Sequence, residues 1–213
     1  MVGSDLLRFQ SDQLYIVCDF ETCHLNLMDN NWPWQLAWVI GDNKRVLERH
    51  NHYINWGFPL PVSKGAAAAT GFKQETVDRL GEDPAKVYEL FNQYAADPRY
   101  RLVSHNWYGF DAYIKKFYEE QLGLRIDYSY LSRMIDTNCM ARAIKMGFKP
   151  DRVNLKAWQY KVLDAWQRGV KTSLGVCLEE YSIPFDKGRL HAADYDVEKN
   201  WEVWRKQMHQ IEV

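Results

Sequence analysis

Cysteine is scarce in this sequence: four residues in 213, Cys18, Cys23, Cys139 and Cys177, with no Cys-x-x-Cys pair among them. That excludes a disulfide framework and a cysteine-rich zinc module, and the four read as reduced thiols. No apolar run approaches the roughly 18 residues a membrane helix requires, and Met1 to Ser11 carries Asp5 and Arg8 without a signal-peptide core. The expectation is a soluble cytoplasmic protein with no membrane partner. Neither basic nor acidic residues are in marked excess. With 27 Lys+Arg against 28 Asp+Glu the formal net charge is -1, which excludes a tail-driven grip on nucleic acid but not a local basic surface. No internal repeat and no convincing linker interrupts the chain, and Ala66 to Ala69 is its one low-complexity tract. What is present is 46% apolar residues, enough for one sizeable core, so a single domain over 1-213 is expected.

The charges are unevenly spread. Arg142 to Lys171 holds eight basic and two acidic residues, a balance of +6, while the remaining 19 basic and 26 acidic residues give -7. This segment, 142-171, reads as a basic insertion on an acidic body. Leu155, Trp158, Val162 and Trp166 recur near helical spacing within it and are expected to pack it down.

Leu14 to Cys18 is a short unbroken apolar run, suited to a strand buried on both faces, and Gln35 to Ile40 reads as a second strand. Turn residues Gly41 to Lys44 lead to a third strand, Val46 to Ile54, making an antiparallel meander. Asp83-Pro84 starts a helix carrying Val87, Leu90, Phe91 and Tyr94 that ends near Asp97-Pro98. A strand over Arg101 to His105 precedes a helix marked by Ile114, Phe117, Tyr118 and Leu122, stopping at Gly123. Ser132 to Asp136 is expected as the last strand. A short helix follows at Leu174 to Tyr181, and Val197, Trp201, Trp204 and Met208 mark one face of a terminal helix. The order β-β-β-α-β-α-β-α-α implies α/β layers around a mixed sheet.

Three sets of carboxylates stand out. Asp19 and Glu21 end the first strand with Phe20 between them, so strand alternation points both to one face. Two like charges that close call for a positive partner: a divalent cation, an Arg or Lys, or plain solvent. Asn106-Trp107-Tyr108-Gly109-Phe110-Asp111 joins a strand to a helix, and His191-Ala192-Ala193-Asp194-Tyr195-Asp196 enters the last one. Each alone fits ordinary turn and capping chemistry.

In this joint order the three motifs resemble the DEDDh 3′-to-5′ exonucleases. Asp19-Phe20-Glu21-Thr22 looks like the first motif of that family, Asn106 to Asp111 the second and His191 to Asp196 the third. Ile135-Asp136-Thr137 and Thr70-Gly71-Phe72 are supporting echoes, so the resemblance spans roughly residues 14 to 208. The tyrosine subclass fits less well, because Ala192 stands four residues before Asp196 where that subclass has Tyr. The second motif is one residue longer than its compact form. The interval from Asp111 to His191 also exceeds that of compact members by about a helix.

The resemblance implies a ribonuclease-H-like fold, a mixed five-stranded sheet flanked by helices. It implies Asp19, Glu21, Asp111 and Asp196 as ligands of two Mg²⁺ or Mn²⁺ ions, which suit hard oxygen donors and neutralise charge in phosphodiester hydrolysis. His191 is implied as general base, since an imidazole can take a proton from water near neutral pH. Phe20, Thr22 and Asn106 are implied to hold the terminal nucleotide, and Trp107, Tyr108 and Phe110 could offer faces for stacked bases. The implied partner is the 3′ end of a single strand, DNA first, with nucleoside 5′-monophosphates released. RNA or short oligoribonucleotides are the alternative substrate. Two further readings compete: a ribonuclease-H-like nuclease cutting internally, and a non-catalytic nucleic-acid-binding module of the same fold. The resemblance does not decide between a lone chain, a homodimer and a polymerase-bound subunit. Zinc does not suit the oxygen ligand set, and His50-x-His52 lacks cysteine partners.

Overall fold

A computed structural model describes residues 6–213, so part of the Met1 to Ser11 reading lies outside the described residues. Among those described, no helix is long and apolar enough to cross a membrane. The elements in chain order are β1 (Leu14–Thr22), β2 (Pro33–Gly41), β3 (Val46–Tyr53), α1 (Lys64–Thr70), α2 (Gln74–Leu80), α3 (Pro84–Ala95), β4 (Tyr100–Ser104), α4 (Asp111–Gln121), β5 (Met134–Asp136), α5 (Thr137–Met146), α6 (Leu155–Asp164), α7 (Leu174–Glu180) and α8 (Ala193–Gln207). All five expected strands are present.

The strands form one sheet in the order β3-β2-β1-β4-β5. The meander β1-β2-β3 is antiparallel, and β4 and β5 add to the other edge of β1 in parallel. As the central strand, β1 is covered on both faces, which is why its apolar run does not alternate. One face takes α8: Tyr15 meets Trp204 edge-on with ring centroids 6.0 Å apart. Gly41, paired with Tyr15, lets that helix lie close, since a Cβ there would come within 2.6 Å of Trp201 Nε1. The other face takes α3 and α4, through Phe20 against Phe91 and Tyr118. Layers on both sides of a mixed sheet are the α/β architecture expected.

Three helices were not expected. Ser63 caps α1 and Gly71, at φ 70°, ends it, so the alanine tract is helical. α2 follows directly. α5 starts at the Asp136 cap and stops at Gly147, φ 72°. Trp166 corrects another expectation: it lies beyond α6 and is 82% exposed, whereas Trp158 and Val162 are buried. Among the described residues, His50 and His52 belong to no group of three or more potential metal ligands. Both stack on Trp38, at 4.6 and 5.0 Å, and His52 Nδ1 meets Glu82 at 2.6 Å. All four cysteines are buried and free.

Candidate active site

The alternation of β1 sorts its last residues between the two layers. Asp19 and Glu21 point to the α8 face along with Tyr15, while Phe20 points to the α3–α4 face. Asp196, in the first turn of α8, is thereby brought over the strand end. One oxygen each of Asp19, Glu21 and Asp196 lie within 4.8 Å of one another. Ala37, paired with Asp19 across β2, contributes only a methyl group beside them.

Asp111 arrives from the other edge. β1 pairs with β4 only as far as Val17, whereas β2 accompanies it to Thr22. The β4 side of the strand end is therefore a notch, and the start of α4 fills it. There the backbone N–H of Phe20 donates to the Asp111 carboxylate. Asp111 is buried and lies outside the group of three, but its charge acts on Asp19 more strongly than any other.

The electrostatics are one-sided. Burial pushes Asp19 well above the usual carboxylate range, and Asp111, Glu21 and Asp196 push it further. Glu21 rises for the same reasons, burial first and then Asp196, Asp111 and Asp194. Asp111 is raised by burial and by Asp136, against backbone N–H groups that pull it down. Burial lifts Asp196 to about 7, with Asp194 adding and the His191 N–H opposing. The charges acting most strongly on Asp19 and Glu21 are thus all carboxylates. Asp196 Oδ1 is buried without a partner. An oxygen-only donor set with excess negative charge and an orphaned oxygen fits a hard divalent cation.

His191 sits beside this cluster differently from a preformed base. The residue is exposed, at φ 68°, and its backbone N–H donates to Asp196 Oδ2 at 3.0 Å. That bond ties the loop before α8 to the carboxylate five residues on.

The residues expected to meet substrate are mostly inward. Phe20 is buried between Phe91 and Tyr118, and Trp107, fully buried, packs edge-on against Tyr130 at 5.5 Å. Neither offers a ring face to a base, because each lies within the core rather than at the cluster. The Thr22 hydroxyl donates to the His24 carbonyl at 3.0 Å. Phe110 is half-buried against the core. Asn106, at φ 71°, accepts from Asn138 Nδ2 at 3.3 Å. Gly109 is required next to it, since a Cβ there would meet Asn106 Oδ1 at 2.5 Å.

Asp136 is the residue whose importance the motifs understated. Fully buried, it accepts from the N–H groups of Asn106 at 3.0 Å, Tyr108 at 3.2 Å, Asn138 at 2.9 Å and Cys139 at 3.2 Å. It joins the Asn106–Asp111 loop to α5 and so fixes where Asp111 begins. An Asp before Thr-Asn and an apolar-periodic stretch is the capping signal that reveals it. Asp194 is the other: read as a cap, it adds negative charge at Glu21 and Asp196.

No family model matches the sequence, and no curated protein matches it. Solved structures do. The cell-death related nuclease CRN-4 superposes with a TM-score of 0.67 at 18% identity, over 93% of this chain and 64% of that one. Escherichia coli exonuclease I in complex with a dT13 oligonucleotide gives 0.71 at 14% identity, over 93% and 41%. The zinc-bound form of its complex with single-stranded DNA gives 0.70 at 15%, over 92% and 40%. The chain therefore shares the fold of these exonucleases, a mixed five-stranded sheet flanked by helices. It spans about two-fifths of the length of exonuclease I and under two-thirds of CRN-4.

Proposed function

We propose that this chain is a divalent-metal-dependent 3′-to-5′ exonuclease of the DEDDh kind, acting on single-stranded DNA and releasing nucleoside 5′-monophosphates. The observation that carries the reading is the convergence of Asp19, Glu21 and Asp196 within 4.8 Å, with Asp111 behind Asp19 and no cation among the strongest charges acting on Asp19 and Glu21. The fold shared with CRN-4 and with exonuclease I, the latter solved with single-stranded DNA, supports it.

Asp19, Glu21, Asp111 and Asp196 would hold two Mg²⁺ or Mn²⁺ ions. When bound, such ions neutralise charge on the attacking and leaving oxygens of a phosphodiester. The rest is the work of the chain. His191 takes the proton from the attacking water, and the bond from its N–H to Asp196 keeps it at the rim. Asp136 holds the loop that presents Asp111. A cavity of about 200 Å³ that Asp194 borders holds Arg49, paired with Glu198, and Arg189, whose guanidinium lies over the Tyr195 ring.

Digestion of end-labelled linear and circular single strands, DNA and RNA in parallel, tests this. Shortening of linear strands from the 3′ end in Mg²⁺ or Mn²⁺ is expected, with circles intact and with chelation stopping the reaction. Asp19→Asn should lose about 10²-fold or more in rate while staying folded. Cutting of circles, or a folded variant of near wild-type rate, would contradict the assignment.

A further inference from the structure

Resting on the reading of the chain as a single-strand nuclease, we propose that the groove between α4 and α6 is a second nucleic-acid site, where unpaired bases stack on tyrosines and phosphates meet two lysines. The groove is a cavity of about 390 Å³, within the range that ordered ligands fill. Tyr108 forms its floor, with the Tyr160 ring 4.7 Å away. Tyr113, Tyr128 and Tyr160 wall it and are 53%, 52% and 42% exposed. Large aromatics left in solvent singly need no explanation, but three around one groove form a patch that invites a flat apolar partner.

Charge decides the class of that partner. Lys116 and Lys156 line the groove and no acidic residue does. Lys116 also pairs with Glu120 at 3.3 Å, outside the lining. A base–aromatic and lysine–phosphate combination matches single-stranded nucleic acid, whose bases stack with little regard to sequence. Ala112, next to Asp111, lines the same groove, so a strand with its end at the carboxylates has a path into it along α4.

The basic segment supplies one wall, and the structure sorts its charges. Arg142 donates to the Leu163 and Ala165 carbonyls, and Lys145 binds Glu180 at 2.7 Å, so both are engaged in packing. Lys156 and Tyr160 on α6 face the groove instead. α6 is held there by Gln159, which accepts from the Asp136 N–H at 2.8 Å and donates to the Met134 carbonyl at 2.9 Å. The wall is therefore tied directly to β5.

The test is binding of a fluorescein-labelled oligothymidine of about 12 nucleotides to Asp19→Asn protein in EDTA, by anisotropy across a salt series. Adding Tyr113→Ala and Tyr160→Ala should weaken binding about tenfold or more. Replacing Lys116 and Lys156 by Gln should flatten the logarithmic salt dependence by about 1.4, at about 0.7 per phosphate contact. In an otherwise wild-type background, dinucleotide digestion should be unchanged by either pair. Affinity and salt slope equal to the parent in both sets would overturn the groove and leave it to a protein ligand. Failure of the wild-type chain to shorten linear single strands in Mg²⁺ or Mn²⁺ would instead sink the nuclease reading, while groove-dependent binding would still stand. The lysine pair keeps the test decisive if the tyrosine variants fold poorly.

Discussion

Bringing Asp19, Glu21 and Asp196 together costs folding free energy when nothing positive lies among them. The sign follows from Asp196, held at about 7 against an ordinary value of 3.8. A carboxyl raised by folding contributes stability that is full below about pH 3.8 and lost as pH rises through about 7. Asp19 and Glu21 act in the same direction. In EDTA, melting temperature should therefore fall as pH rises from about 4 to about 7, and Mg²⁺ should recover it at the upper end. Asp196→Asn should flatten the decline. His105 acts in the opposite direction over much of this window: burial holds its ring down to about 4, so its contribution grows as pH rises from about 4 to its ordinary 6.5, and the Asp196→Asn comparison, which leaves His105 in place, isolates the carboxyl cluster. Scanning calorimetry at several pH values checks the prediction, and a flat profile indifferent to Mg²⁺ would refute it. At the rim, His191→Ala should lower kcat by about 10²-fold or more while leaving Mn²⁺ binding in place. Full activity in that variant would assign the proton transfer to another group.

Among the elements, β5 depends on a borrowed neighbour. Its outer edge is satisfied by the Gln159 amide, which bonds both Met134 and Asp136 as a further strand would. Gln159→Leu keeps the volume and leaves a buried N–H and C=O unpaired, so it should destabilise by about 2 kcal/mol or more in urea denaturation. Wild-type stability would show that water or relaxation replaces the amide. The strands were legible because short apolar runs bounded by turn residues have few other uses. α1 was not, since an alanine tract carries no periodicity, and α5 was masked by the strand running straight into its cap. The carboxylates were legible at the site because strand alternation and helix starts fix their direction. Phe20 and Trp107 were not, because a motif gives position along the chain and not which layer a ring enters. The buried Lys115–Glu119 pair, joined at 2.7 Å with both side chains 1% exposed, likewise hid in a face that reads as charged surface.

At the scale of the molecule, the proposed function rests on three distant pieces of chain meeting at the end of one strand. β1 supplies two carboxylates, the notch where β4 stops admits α4, and α8 crosses the opposite face to deliver the third member of the cluster. That convergence also explains why the candidate site lies at the carboxyl end of the central strand, where its backbone has lost its partner strand on the β4 side. The basic segment adds α6 beside β5, tied to it by Gln159. Binding of Mn²⁺ followed by electron paramagnetic resonance tests, without depending on any substrate, the proposal that the cluster holds divalent metal. Saturable Mn²⁺ binding by the wild-type chain is expected, competed away by Mg²⁺ and abolished by Asp19→Asn with Asp196→Asn. A wild-type chain that leaves Mn²⁺ free in solution, or a double variant that binds it equally well, would contradict it.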